Sequence, residues 1–134
     1  PLMTEQGWGR IINISGLGAR QTGTTIGSIR NVGVAALTKN LADELGPRGI
    51  NVTCVHPGLT RTEKTPGVIE WRASTQKRTK EEVEKAMNDL NTIRRLVTAE
   101  EIGHIVAFLA SPKSIAINGD AIAAGGGAPG SIYY

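Results

Sequence analysis

The sequence predicts an α/β fold, a parallel sheet flanked by helices, and three observations carry that prediction. Two short apolar runs, "GRIINIS" and "INVTCVHPG", read as strands covered on both faces. A stretch of helical period lies between them. A second amphipathic stretch then precedes a third short run, "GDAIAAGGG". Strands alternating with helices in this way imply parallel pairing through right-handed crossovers.

The elements follow in order. The chain opens on "PLMTEQGWGR", with no initiating Met and no capping signal ahead of "LMTEQ", the pattern of an element entered part-way. Gly9 to Ser15 holds three isoleucines bounded by glycines and forms the first strand. "GLGARQTGTT" is a Gly- and Thr-rich loop. From Ser28 onward, Ile29, Val32, Val34, Ala35, Leu37, Leu41 and Leu45 fall near helical spacing, and "GPRG" supplies the stop. The second strand ends at Pro57 and Gly58.

Beyond Pro57 the character changes: "LTRTEKTPGVIEWRASTQKRTKEEVEKAMNDLNTIRR" is polar, charged and poor in aliphatics up to about Val83. Residues 62–95 read either as a solvated linker or as a lid over a site. "TAEEIGHIVAFLASPKS" then forms an amphipathic helix. Thr98 is its N-cap, Glu101 completes a capping box, and Ile102, Ile105, Val106 and Leu109 form its apolar face. The third strand closes on three glycines before the tail "APGSIYY".

Composition sets the bounds. The 134 residues, 40% hydrophobic and 20% charged, suffice for one globular domain, 1–134, with a core. The net charge of +3 comes from basic residues scattered among acids, with no block that would track a phosphate backbone, so nucleic acid is not an expected partner. The single cysteine, Cys54, sits in an apolar run; it excludes an internal disulfide and a zinc set and reads as a small buried hydrophobe. No run approaches the roughly 18 apolar residues of a membrane span, and no basic-then-apolar leader is present. The expected compartment is therefore the cytoplasm, without a membrane partner. His104 has no partner at metal-ligand spacing in its helix, and no metal is expected.

"GRIINIS", then "VAALTKNLADELGPRGINVTCVHPGLTRT", then "RLVTAEEIGHIVAFLASPKSIAINGDAIAAGGG" resemble, in order and spacing, the C-terminal half of a short-chain dehydrogenase/reductase. The resemblance spans essentially the whole chain. It implies a Rossmann-type domain of about seven parallel strands, of which this chain would supply the last three. The glycine-rich turn for the cofactor pyrophosphate would lie in the other half. "SGLGARQTG" does not replace it: Gly16 and Gly18 make a lone Gly-x-Gly, Gln21 stands where a third glycine belongs, and no helix begins directly after.

The resemblance further implies NAD or NADP as cofactor and hydride exchange between an alcohol and a ketone. The family's chemistry uses a Tyr hydroxyl as proton relay, a Lys four residues later that lowers its pKa, and a Ser at the preceding strand end. Those three positions fall on Gly27, Asn31 and Gly16. No local shift restores them, because the only tyrosines are Tyr133 and Tyr134 and the only Lys between Ser15 and Pro57 is Lys39. Ser15, beside Gly16, is the one remaining hydroxyl that could polarise a carbonyl, though a strand-end Ser is also an ordinary turn residue. Pro57, Gly58, Thr60 and Thr62 match the family's Pro-Gly-x-x-x-Thr stretch against the nicotinamide. His56 reads as a substitute base or, more simply, as a structural residue at the strand end.

Two function classes follow. One is an NAD(P)-dependent oxidoreductase with impaired or lost catalysis; the other is a non-catalytic relative that keeps the fold for oligomerisation or ligand binding. The strand Gly9 to Ser15 is expected to present an unpaired apolar edge, which invites association. In the family, the 28–45 helix and the last strand make subunit contacts. A homo-oligomer, or pairing with an N-terminal half, is therefore expected.

Overall fold

The computed structural model describes residues 1–132 and runs α1 (Leu2–Gln6), β1 (Gly9–Ile14), α2 (Thr25–Leu45), β2 (Ile50–Pro57), β3 (Thr60–Arg61), α3 (Thr65–Gln76), α4 (Lys80–Asn88), β4 (Val97–Thr98), α5 (Ala99–Ala110) and β5 (Ala121–Ala124). The main sheet has the order β1-β2-β5, with both pairings parallel. Ile11 stands opposite Val52, and Val55 opposite Ile122. A second parallel pair, β3 with β4, was not foreseen from the sequence, since each strand is only two residues long.

The central strand β2 is buried from Ile50 to His56. Alternate residues of a strand face opposite sides, so cover on both faces buries every position, the polar Asn51, Thr53 and His56 along with Val52, Cys54 and Val55. On one face Ala42 of α2 packs with Ile50 and Val52, joined by Ile11, Leu41 and Leu45. On the other, Leu109 of α5 packs with Val55 and Ala124, joined by Ile12, Ile102, Ile105 and Val106. The α5 face and its Thr98/Glu101 capping box match the sequence expectation.

The first strand differs from it. β1 is only half-buried, and Ile14 is 54% exposed. The reason is topological: β1 pairs on one side only, with β2, and lies at the sheet edge. The helix α2 also begins before Ser28. Thr24 caps it, its hydroxyl accepting from the Gly27 N–H at 3.1 Å.

Residues 62–95, polar in sequence, contain two helices. Ile69 and Ala73 on α3 stand four residues apart, as do Val83 and Met87 on α4. That spacing puts each pair on one helix face. Together with Leu96 they form a third small core. The α4 start carries a capping box that the sequence reading passed over, with Thr79 and Glu82 bonding each other's backbone N–H.

A cleft at the carboxyl ends of the strands

Parallel α/β sheets bind ligands at the carboxyl ends of their strands, because the loops there diverge. This sheet has an open cleft of about 410 Å³ at that end. Gly16 after β1, Pro57 and Gly58 at the end of β2, and Gly125 after β5 contribute to its lining. The sequence after β2 and β5 permits their close approach. A Cβ on Gly58 would lie 2.9 Å from the Gly125 Cα and 3.2 Å from the Leu17 Cδ1.

Apolar side chains complete the walls: Leu17 from the loop after β1, Met87 and Leu90 from the end of α4 and just beyond it, and Leu96. Asn91 lines the cleft as well and is 4% exposed. Its Nδ2 donates to the Arg95 carbonyl at 2.7 Å, which fixes the amide, while its buried Oδ1 has no partner among the described residues. Neighbouring Thr92 donates its N–H to the Gly127 carbonyl at 2.8 Å and ties this segment to the turn after β5.

The positions singled out in the sequence fall in three places. Pro57 and Gly58 lie in the cleft. Thr60 lies beyond them on β3, its hydroxyl donating back to the Gly58 carbonyl at 3.0 Å. Thr62 is exposed, and its N–H donates to the Thr65 hydroxyl at 2.8 Å at the start of α3.

Ser15, Gly16 and Asn31 are brought together beside the cleft. The Ser15 Oγ is 3.2 Å from both the backbone oxygen and the Oδ1 of Asn31, so its proton is directed at Asn31. The Asn31 amide fills the space next to the β1 loop. A Cβ on Gly16 would lie 3.5 Å from its Nδ2, and one on Gly18 would lie 2.8 Å away. Gly27 sits one helical turn before Asn31, and a Cβ there would come within 2.7 Å of the Thr24 Oγ1. Tyr133 and Tyr134 lie outside the described residues.

His56 is 1% exposed, with its Nδ1 3.8 Å from the Cys54 Sγ. Burial, then the positive charge of Arg20, push the imidazole below its ordinary pKa. Burial pushes the Cys54 thiol up. Both groups are therefore neutral near pH 7, and neither is among the residues lining the cleft. His104 is exposed, and no group of three or more potential metal ligands occurs among the described residues.

Sequence reasoning reached Gly16, Pro57 and Gly58 but missed Leu17, Met87, Leu90, Asn91 and Leu96. The glycine run after β5 was a usable sign of close backbone approach. Asn91 carried no local signal, because only the fold buries it.

A parallel sheet flanked by helices, with its cleft at the strand ends, defines a Rossmann-type α/β protein. The family profile described as enoyl-(acyl carrier protein) reductase matches residues 1–129, and the chain belongs to that family, within the short-chain dehydrogenases/reductases. It is 34% identical over 129 residues to nodulation protein G of Azospirillum brasilense, covering 95% of this chain and 48% of that protein. Dehydrogenase/reductase SDR family member 4 of Sus scrofa is also 34% identical over 129 residues, covering 95% and 43%. The crystal structure of YwfH, an NADPH-dependent reductase involved in bacilysin biosynthesis, superposes with a TM-score of 0.86 at 32% identity, over 98% of this chain and 51% of YwfH. The chain thus spans about half the length of the relatives it matches.

Proposed function

We propose that this chain is the C-terminal half of an NAD(P)-dependent short-chain dehydrogenase/reductase in which cofactor and ligand binding persist and the usual proton relay does not. The observation that carries this reading is the contact in which Asn31 takes the Ser15 hydroxyl; in the family pattern Asn31 falls on the ammonium position and Gly27, one helical turn earlier, on the phenol position. Positioned acid-base catalysis is worth about 10²–10⁴ in rate, so its loss leaves a much weaker catalyst or a pseudoenzyme.

The cleft fits the cofactor. The Gly58 and Gly125 backbones approach closely, and Pro57 and Gly58, which line the cleft, would hold the nicotinamide end, with Thr60 and Thr62 of the same stretch just beyond it. Bound NAD(P)H supplies the hydride; this chain's residues bind, orient and exclude water. That YwfH is an NADPH-dependent reductase supports NADP as one candidate alongside NAD. The segment 62–95 acts as a lid in this reading, since Met87 and Leu90 stand in the cleft wall.

The exposed edge of β1 and the apolar face of α2, where Ile26 is 83% and Ile29 68% exposed, are surfaces for assembly. They fit a homo-oligomer through α2 and β5, or an N-terminal half that extends the sheet beyond β1. No helix among the described residues is long and apolar enough to cross a membrane, which supports a cytoplasmic setting. The neutral Ser15–Asn31 arrangement also favours a second reading, a non-catalytic oligomerisation or ligand-binding module.

The test is to add NADH or NADPH to the intact protein and follow thermal stability, then assay a broad carbonyl panel. Ligand at about 100 times Kd stabilises the folded state by about 2.7 kcal/mol. A saturable shift with little or no turnover is the expected result. Robust turnover would sink the impaired-enzyme reading, and no shift with either nucleotide would favour the module. Light scattering checks the assembly, against which a clean monomer would count.

A further inference from the structure

We propose that Arg72 and Arg78 form an anion-binding subsite beside the main cleft, suited to the carboxylate or phosphate head of an amphipathic ligand. Both residues line a second cavity, of about 170 Å³, together with Gln76, Val83, Met87 and Leu90. Met87 and Leu90 also line the main cleft, so two apolar side chains form the partition between the two spaces.

The charge pattern points the same way. On the segment from β3 to the start of α5, most cations have a carboxylate: Arg61 pairs with Glu84, Lys80 with Glu70, Lys85 and Arg94 with Asp89, and Arg95 with Glu101. The Arg72 side chain makes no hydrogen bond or ion pair among the described residues. Arg78 makes one side-chain bond there, from Nη2 to the Glu82 carbonyl at 3.1 Å. Lys64 and Lys77 also lack a carboxylate, but they sit at the two ends of α3 and line none of the cavities described.

Cations near a helix end are explained by the helix dipole alone. That account does not require two arginines to line one recess with Val83, Met87 and Leu90. A guanidinium presents a planar fork that matches carboxylate and phosphate oxygens in pairs, and two of them around one small space repel until an anion is bound. The apolar partition then receives the aliphatic part of the same ligand. The subsite gains its functional meaning from the main cleft being a ligand site, but its charge preference is measurable without any cofactor.

The experiment titrates the intact protein with octanoate, 1-octanol and inorganic phosphate at constant ionic strength. NMR signals of the arginine side chains and of the Met87 methyl report binding. Octanoate should bind at least tenfold tighter than 1-octanol and move both sets of signals. The variant Arg72→Gln/Arg78→Gln, at one half-buried and one exposed side chain, should reduce octanoate to the affinity of octanol while leaving the far-UV circular dichroism spectrum of the fold unchanged. Phosphate that displaces octanoate identifies free or esterified phosphate as a source of the anion; octanoate binding indifferent to phosphate identifies a carboxylate amphiphile. Equal affinity for octanoate and octanol, which needs no variant to measure, would overturn the proposal, as would a preference that survives in the double variant. Because no nucleotide enters the assay, failure of NAD(P) binding leaves its outcome readable.

Discussion

Replacing Gly27 with Ala tests why a glycine stands at the third residue of α2. Glycine costs a helix about 1 kcal/mol relative to alanine, so Gly27→Ala taken alone should stabilise α2 by up to that amount. The structure opposes this gain. A Cβ at residue 27 lies 2.7 Å from the Thr24 Oγ1, the atom that accepts from the Gly27 N–H at 3.1 Å. A threonine hydroxyl has no flexible stem to absorb the clash, so the cap bond must break, at a cost of about 1 kcal/mol. The two effects cancel, and Gly27→Ala should lie within about 0.5 kcal/mol of the parent. Gly67 is the control: it is also the third residue of its helix, and a Cβ there meets nothing within 4 Å. Gly67→Ala should therefore keep its gain of up to about 1 kcal/mol. In a Thr24→Ala background, where the cap is already lost, Gly27→Ala should recover its own gain, giving a coupling of about 1 kcal/mol. Urea unfolding followed by far-UV circular dichroism, at one protein concentration because assembly shifts apparent stability, measures all four variants. Gly27→Ala stabilising as much as Gly67→Ala with Thr24 intact would refute the reasoning.

Three further outcomes are expected. Leu109→Ala, at a side chain 1% exposed and packed on Val55 and Ala124, should cost about 2–5 kcal/mol in the same unfolding assay. Gly49 has φ +78°, and a Cβ there would collide with the Gly7 carbonyl oxygen, so Gly49→Ala should lose at least about 1–2 kcal/mol; an unchanged midpoint contradicts the backbone argument. Hydrogen bonds from Arg95 and from the Thr98 N–H hold Glu101 at about 2 instead of its ordinary 4.5. A depressed carboxylate stabilises the fold above its unfolded pKa, and that contribution fades as pH falls from about 4.5 toward 2. Solvent screens this exposed pair, so the direct check is a carbon NMR titration of the Glu101 carboxyl, in which a folded-state midpoint near 4.5 would contradict the assignment.

What was legible in the sequence depended on how many neighbours each segment needed. β2 was readable because burial on both faces favours a mostly apolar, uncharged run, and α5 because its cap and its apolar stripe lie within one stretch. β1 has the same composition but sits at an edge, and composition does not report the number of strand neighbours. The α3–α4 pair was obscured because Ile69, Ala73, Val83 and Met87 are sparse among charged residues and meet Leu96 only after the chain has turned twice. Pro57 and Gly58 were found because a strand end is a local event. Met87, Leu90 and Asn91 reach the cleft because α4 packs on α3 and the segment after it is tied to the turn after β5, which no local pattern encodes.

Under the proposed assignment of Gly27 and Asn31 to the proton relay, the surroundings of Asn31 bear on whether the change is a simple loss. A lysine replaced in an otherwise standard site would leave a gap and a hydroxyl without a partner. Here the Ser15 Oγ is 3.2 Å from the Asn31 Oδ1, and the missing Cβ of Gly18 makes room for the Asn31 Nδ2, which a side chain would meet at 2.8 Å. Gly27 is likewise matched to the Thr24 cap. The residues thus fit one another as a neutral hydroxyl–amide arrangement able to hold a carbonyl oxygen or an amide, with no group that exchanges a proton near neutral pH. Gly27→Tyr therefore collides with the cap, and Asn31→Lys takes the Oδ1 acceptor from Ser15. The double change should yield a less stable protein with catalysis still well below the 10²–10⁴-fold gain expected of a working acid-base group. Measured turnover rising by that full factor, at unchanged stability, would show instead that the surrounding site had remained built for the phenol and the ammonium.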